Sequence, residues 1–483
     1  MSVLRLLRRR TTWAYIVLAV SFLFLLGDRL FQLLSLASSA VPSPPTSEEA
    51  HNWNLFYHLG GNGPWIPKHT RGGTPDDALP DGCMVDQVHM MSRHGERYPT
   101  RNAGSRHLQL LDRLKAPDVS LQGALEFLNH WTYFTSQQDP AFENLTAEGP
   151  YAGTKQARDT GRKLRERYDH LVSAEKRVRF WSCDSGRDVE TARYFADGFF
   201  GSDWESKGVA ELEIIPEDAD RGGDTLTPGD TCLRYVDDLV HGHDQGYGKL
   251  EAYQKHFTAP IITNLSKAAP GLEFSHLDVY SMMEMCGFEI LARGSSPWCE
   301  IFTREEWLQF EYARDLLHFY RAGPGNEFSR TMGWLYLNAT ADLLMQPLSK
   351  DVYLSFVHDG DIVPLLAALR ILDEDGKQEL PTDRRSAGRR WKTSDVVPMG
   401  GRVLFERIAC GHEQDSLQRF MRLSINDGIV SIPGLTTSPI VPYGVPVKDF
   451  WKFVEFKLTE YGEFPEVCGL PAGAASRITF LHQ

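Results

Sequence analysis

The stretch Val85-Asp-Gln-Val-His-Met-Met-Ser-Arg-His94-Gly-Glu-Arg-Tyr-Pro-Thr100 decides the reading of this chain. Its apolar residues Val85, Val88, Met90 and Met91 predict a buried strand. The strand ends in Arg93-His94-Gly95-Glu96-Arg97-Tyr98-Pro99, two guanidinium groups beside one imidazole. Arginine forks match the tetrahedral oxygens of a phosphoryl group. An imidazole among fixed cations can attack phosphorus, because the negative charge that would repel it is already partly neutralised. Gly95 is expected to leave room for a ligand, and Pro99 to fix the exit of the chain. The competing reading is a solvated Arg-rich loop with a packed histidine.

Two further strand ends carry chemistry. Arg177–Ser182 alternates as a strand, Cys183-Asp-Ser-Gly-Arg187 follows as a turn, and Asp188–Phe199 reads as a helix. This α/β unit would deliver Arg187 to the carboxyl end of a strand, where open α/β sheets bind ligands. Alone, Arg187 reads better as a solvated loop residue. Asp351–Val357 is a third, mostly apolar strand, and it runs into His358-Asp359-Gly360-Asp361. A helix over 362–369 is expected next, with Asp361 as its cap and Pro364 in its first turn. His358 and Asp359 at a helix N-terminus suit acid chemistry on an anionic guest; a capping Asp beside a packed His is the plainer alternative.

Outward from these motifs, the spacing predicts helices over Leu121–Phe134, from Gly149-Pro150 to Tyr168, and over Phe450–Leu458. Val396–Cys410 reads as a strand, and Phe420–Ile425, Asn426-Asp427-Gly428 and Ile429–Ile432 as a hairpin. Residues 201–329 lack the strand–helix alternation and read as a mainly helical insert between two halves of the α/β body, 54–200 and 330–483. Within it Thr303 and Glu306 form a capping box for a helix ending near Tyr320, and a second helix covers Thr331–Leu344. Met282, Met283 and Met285 read as core. Asp373–Gly376 and Arg384–Lys392 read as solvated loops.

Of the 483 residues 42% are hydrophobic and 24% charged, as in an ordinary globular protein, and the net charge is -13. Residues 1–40 hold five Arg and one Asp, so the remainder is more acidic still. An acidic body excludes nucleic acid as a partner and makes any anion site a local cationic pocket. Arg5, Arg8, Arg9 and Arg10 precede apolar runs up to Ala40, the pattern of a signal peptide or an uncleaved type II signal-anchor. Residues 41–53, rich in Pro near their start, form a linker. This leader implies the secretory pathway, with the protein secreted or membrane-tethered. Seven cysteines fit an oxidising compartment; without a Cys-x-x-Cys pair, zinc and redox readings are weak. Six cysteines can pair in about 15 ways, which sequence alone leaves open. Glycosylation sequons stand at Asn144, Asn264 and Asn338. The oligomeric state is left open.

The Arg-His-Gly-x-Arg-x-Pro spacing, with His358-Asp359 at a second strand end, resembles the signatures of the histidine acid phosphatase family. That family is the branch of the phosphoglycerate-mutase-like superfamily that includes the fungal phytases. The resemblance covers roughly residues 54–470, including the aromatic, Gly-rich segment Asn54–Trp65. It implies an α/β fold with a mostly parallel central sheet, helices on both faces and a helical insert. It implies an acid phosphomonoester hydrolase in which His94 is the nucleophile, Asp359 the proton donor, and Arg93, Arg97, Arg187 and His358 the phosphate ligands. No metal or cofactor is implied, and the partner is a small phosphate monoester. It also implies the disulfides Cys83–Cys410, Cys232–Cys468 and Cys286–Cys299, leaving Cys183 free. Gly360 departs from the Thr or Asn common after the His-Asp pair, which bears on leaving-group contacts. An acid optimum is expected from a protonated Asp359 and an uncharged His94. Phytate against broad specificity stays open. The rivals are a phosphoryl mutase, disfavoured by the leader, and a membrane-tethered binding or scaffold protein without turnover.

Overall fold

The computed structural model describes residues 53–67, 78–136, 138–173, 176–347, 351–372, 379–411 and 417–482. The leader, most of the linker and the acidic turn at 373–376 lie outside the described residues. The strands are β1 (Cys83–Arg93), β2 (Val178–Cys183), β3 (Ala210–Ile215), β4 (Asp351–Val357), β5 (Arg402–Cys410), β6 (Gln418–Ile425), β7 (Gly428–Val430) and β8 (Val445–Pro446). The longer helices are α1 (Arg101–Leu114), α2 (Gly153–Tyr168), α3 (Gly186–Phe199), α4 (Gln245–Phe257), α5 (Ala259–Ala268), α6 (His276–Arg293), α7 (Arg304–Arg321), α8 (Ser329–Met345), α9 (Asp359–Ala368) and α10 (Val447–Tyr461).

The strands form one sheet in the order β3-β2-β4-β1-β5-β6-β7, with β8 on β6. Pairings among β3, β2, β4 and β1 are parallel; those from β1 through β5 and β6 to β7 and β8 are antiparallel. The sheet is therefore mixed rather than mostly parallel. The reason is local: short connections such as Asn426-Asp427 join antiparallel neighbours, whereas parallel neighbours need helical crossovers. Asn426 and Asp427 both have positive φ, 48° and 62°, as a tight hairpin turn requires.

Strand alternation assigns side chains to two cores. Val88, Met90, Leu354, Phe356 and Leu404 face α2 and α3, meeting Leu164, Tyr168, Phe195 and Phe199. Met91, Val357, Val403 and Phe405 face the opposite side, where helices including α8 to α10 pack. Each such buried side chain contributes about 1.5–3 kcal/mol. Helices thus cover both faces.

The loop Arg384–Lys392 is not wholly solvated, since Arg389 and Trp391 are buried; four further local expectations change. The segment Leu121–Phe134 forms only a 3-10 stretch, Gly123–Asn129, because Gly123 takes φ 54° and its apolar residues fill one side of the core without a full helical face. β3 adds an edge strand inside the region read as free of alternation. Its Glu211 and Glu213 lie beside Arg177 and Arg179, so the strand presents charge rather than an apolar run. The strand expected over Val396–Cys410 begins at Arg402; Val397 and Met399 are buried in the loop before it. Finally, α9 starts at Asp359 with His358 as its cap, and Asp361 accepts from the His358 backbone N–H at 3.0 Å. Asp361 is thus the third helical residue reaching back, not the cap. Thr303 and Glu306 do form the expected capping box at the start of α7.

Candidate active site

Parallel strands β1, β2 and β4 end at the same edge of the sheet, and their ends bring the separate motifs into one cleft of about 1340 Å3. Arg93, His94, Arg97, Arg187, His358 and Asp359 all line it. The His94 and His358 rings lie 6.2 Å apart.

His94 is 2% exposed, so its protonation is set by its neighbours. Its Nδ1 lies 2.9 Å from the Gly95 carbonyl oxygen. A carbonyl only accepts, so Nδ1 carries the proton and Nε2 keeps a lone pair. Arg97 donates its Nε–H toward that nitrogen at 3.4 Å. Burial, then Arg93, Arg97 and Arg187, push the imidazole pKa well below its ordinary value. The ring is neutral, with its free lone pair toward the arginines. Gly95 serves packing rather than ligand room: a Cβ there would lie 3.2 Å from the Gly153 carbonyl oxygen at the start of α2.

Arg93 is held as rigidly. One nitrogen, Nη1, donates to the carbonyls of Gly61 at 2.8 Å and Val397 at 2.6 Å, and Nη2 pairs with Asp359 Oδ2 at 2.8 Å. The Gly61 contact explains the aromatic, Gly-rich segment 54–65. Its neighbour Gly60 accepts from Arg314 Nε at 2.8 Å and has φ 52°, and a Cβ there would lie 2.3 Å from the Arg314 Cβ. Two successive carbonyls of this loop therefore clamp two arginines of the cleft.

His358 is charged. Its Nδ1 is 3.0 Å from Asp188 Oδ2, an ion pair off the hydrogen-bond axis, and its Nε2 is 3.0 Å from Glu217 Oε1. Burial disfavours the imidazolium, but Asp188 and the other groups around the ring outweigh it and raise the pKa well above the ordinary value. Arg187 Nη2 approaches Nδ1 to 3.1 Å, while its Nε lies 3.8 Å from Asp188 Oδ2. The buried carboxylate of Asp188 thus holds two cations together.

Asp359 opens α9. Burial alone would protonate it, yet Arg93, His318 and Arg321 hold its carboxyl well below the usual range. The expected protonated state is thus not the state of the free site. Arg321 Nη1 lies 3.5 Å from Asp359 Oδ1. A Cβ at Gly360 would lie 2.9 Å from Arg321 Nη2. Here the missing side chain at position 360 is replaced by a guanidinium from α7.

A family model described as the histidine phosphatase superfamily, branch 2, matches residues 84–426. The chain belongs to this superfamily. This branch 2 histidine phosphatase is similar to a phytase of Candida albicans, 32% identical over 440 residues, which is 90% of this chain and 91% of the relative. It is equally similar to an acid phosphatase of Komagataella pastoris, 32% identical over 443 residues and 90% of each chain. Among solved structures, the phytase from D. castellii superposes with a TM-score of 0.80 at 30% identity, covering 89% of this chain and 90% of that one. These likenesses give no support to a scaffold without turnover.

Sequence reasoning about the histidine phosphatase missed Asp188, Glu217, Arg314, His318 and Arg321. Arg187-Asp188 was legible as a pair of opposite charges at a helix start. The others come from β3 and α7, remote in sequence and without a motif. The three disulfides are those the family resemblance implies, and Cys183 is free and buried. Of the sequons, Asn144 and Asn264 are exposed. Asn338 is 7% exposed inside α8, and its amide donates to Asp342 at 3.3 Å, a place with no room for a glycan in the folded chain. Among the described residues no helix is long and apolar enough to cross a membrane.

Proposed function

We propose that this protein is an acid phosphomonoester hydrolase working through a phosphohistidine. The observation that carries the reading is the unprotonated Nε2 of His94, fixed by the Gly95 carbonyl and facing Arg97. Nε2 attacks phosphorus while the ester P–O bond breaks. Arg93, Arg97, Arg187 and the charged His358 take the phosphoryl oxygens, stabilising the charge that spreads over them. Asp359 gives its proton to the leaving oxygen. Its free state is ionised, so it takes that proton from solvent once a phosphoryl dianion has taken up part of the Arg93 charge and raised its pKa. In the second half, water attacks the phosphohistidine, the Asp359 carboxylate takes the water proton, and phosphate and neutral His94 are restored. Fixed cations do the charge neutralisation that a metal would otherwise do.

A single phosphate needs far less than 1340 Å3. Ordinary ligand pockets run about 300–1000 Å3. The cleft walls carry Arg101, Arg106 and Lys255 beyond the cup. Arg106 and Lys255 are paired with Glu284 and Glu251 of the same walls, so the size of the cleft rather than a surplus of charge favours large leaving groups such as inositol phosphates. The disulfides fit the secretory pathway suggested by the leader, with Asn144 and Asn264 as glycan acceptors.

The test is phosphate release by the purified protein from phytate and from p-nitrophenyl phosphate at acid pH. The alkaline-quenched enzyme should carry phosphate on His94, and His94→Ala should release none while staying folded. A wild type that releases phosphate from no ester returns the scaffold reading.

A further inference from the structure

Cys183 closes β2 as the free thiol among seven cysteines, and the hydrolysis above does not use it. Its Sγ lies 3.7 Å from His358 Nε2, and Glu217 Oε1 lies 3.0 Å from the same nitrogen. The three donor atoms all fall within 4.8 Å of one another. We propose that Cys183, Glu217 and His358 form a binding site for a soft divalent ion such as Zn2+ or Cd2+, which inhibits the hydrolase when it binds.

Three features of the cluster favour an ion. First, bond lengths of about 2.3 Å to sulfur and 2.0–2.2 Å to nitrogen and oxygen put the donors of a tetrahedral ion roughly 3.3–3.6 Å apart. The observed 3.7 and 3.0 Å need only small side-chain movements to meet that. Second, a thiolate with an imidazole selects zinc-like ions over Mg2+ or Ca2+, which prefer oxygen alone. Third, metal-bound histidines typically donate their other ring nitrogen to a carboxylate, and Asp188 stands 3.0 Å from His358 Nδ1, needing only a small ring rotation to accept from it. Glu217 and His358 line the open cleft and give the ion an entry path to the buried Cys183 behind them.

Binding releases two protons to solvent, one from the Cys183 thiol and one from His358 Nε2. The sulfur and that nitrogen then each donate a lone pair to the ion. Two protons leave as a dication arrives, so the net charge is unchanged, but His358 Nε2 becomes a metal ligand and the phosphate clamp loses that N–H donor. A second trio, Asp238, His241 and Glu327, also has donors within 4.8 Å of one another, but it holds no thiol, and His241 and Glu327 are exposed. Spectroscopy separates the two, because only a thiolate gives a sulfur-to-metal charge-transfer band.

The experiment titrates the whole purified protein, disulfides intact, with Cd2+ and follows the ultraviolet charge-transfer band. Zn2+ is then used to displace the Cd2+ and to inhibit phosphate release. The expected result is one charge-transfer site per chain, abolished in Cys183→Ser. Zn2+ affinity should fall more than about tenfold in both Cys183→Ser and Glu217→Gln, each checked for folding by thermal unfolding. The Zn2+ concentration for half inhibition should rise by a similar factor in Glu217→Gln. Absence of the band in the wild type overturns the proposal. So does a Zn2+ affinity that neither substitution changes.

Discussion

Two sets of mostly buried arginines sit at opposite ends of the same sheet. Near the amino end of β1, Arg407 bonds Asp86 at 2.7 Å and the carbonyls of Leu344 and Gln346. Nearby, Arg422 and Arg167 both hold Glu406, at 2.9 and 2.8 Å. There each buried carboxylate meets guanidinium directly, Asp86 one and Glu406 two. At the carboxyl end the forks are spent differently. Arg93 gives one nitrogen to two carbonyls and the other to the Asp359 carboxylate, and Arg97 donates to the Tyr98 carbonyl at 2.8 Å and to His94. Neutral acceptors fix a guanidinium without neutralising it. The first set is therefore mortar, whereas in the second Arg97 keeps its charge and Arg93 is only partly compensated. The difference lies in the acceptors, not in the arginines.

Substitutions can break this contrast. Arg407→Ala leaves Asp86 buried and unpaired, and should lower unfolding stability by about 3–5 kcal/mol, read by urea denaturation, with kcat per folded molecule unchanged. Arg97→Ala should do the reverse: kcat falls by about 10²–10³, or 2.7–4 kcal/mol, with little change in the denaturation midpoint. If Arg97→Ala instead unfolds the protein while Arg407→Ala spares it, the distinction between the two sets is wrong.

Glu96 sharpens it further. This buried carboxyl accepts from the Trp65 backbone N–H at 3.0 Å, and burial raises its pKa to about 7. A carboxyl whose folded pKa exceeds the unfolded one stabilises the fold while protonated. Its contribution is complete below about pH 4.5 and is lost as pH rises to 7. Glu96→Gln should remove up to about 3 kcal/mol of that pH dependence, visible as a flatter stability profile between acid and neutral pH. An unchanged profile would show that Glu96 titrates alike in the folded and unfolded chain, contrary to a raised pKa. The smallest effect concerns Arg321. Arg321→Ala should lower kcat/KM by about tenfold, roughly 1.4 kcal/mol, for phytate and less for p-nitrophenyl phosphate. Equal loss on both would make Arg321 a partner of Asp359 alone, with no contact to the leaving group.

The cup was legible because its residues sit where apolar strands stop, a change of pattern visible within about ten residues. His94, His358 and Arg187 each follow such a run. The acids that tune them were not legible. Glu217 follows an edge strand whose exposed glutamates hide its period. Arg321 closes a helix whose apolar stripe reads as core. Asp188 looked like an ordinary helix-start acid, yet it is fully buried and binds two cations. The protonation states followed the same division. Neutral His94 could be inferred from adjacent arginines, whereas ionised Asp359 depends on contacts between remote segments, Arg93 first and then His318 and Arg321 of α7.

The clamp of Gly60 and Gly61 on Arg314 and Arg93 sets a limit on maturation. Proteolytic trimming anywhere upstream of Trp53 leaves those two carbonyls in place. A cut that removes Gly60 and Gly61 takes away part of the floor on which Arg93, the neighbour of His94, rests. A chain starting at β1 would keep every cup side chain yet hold Arg93 by Val397 and Asp359 alone.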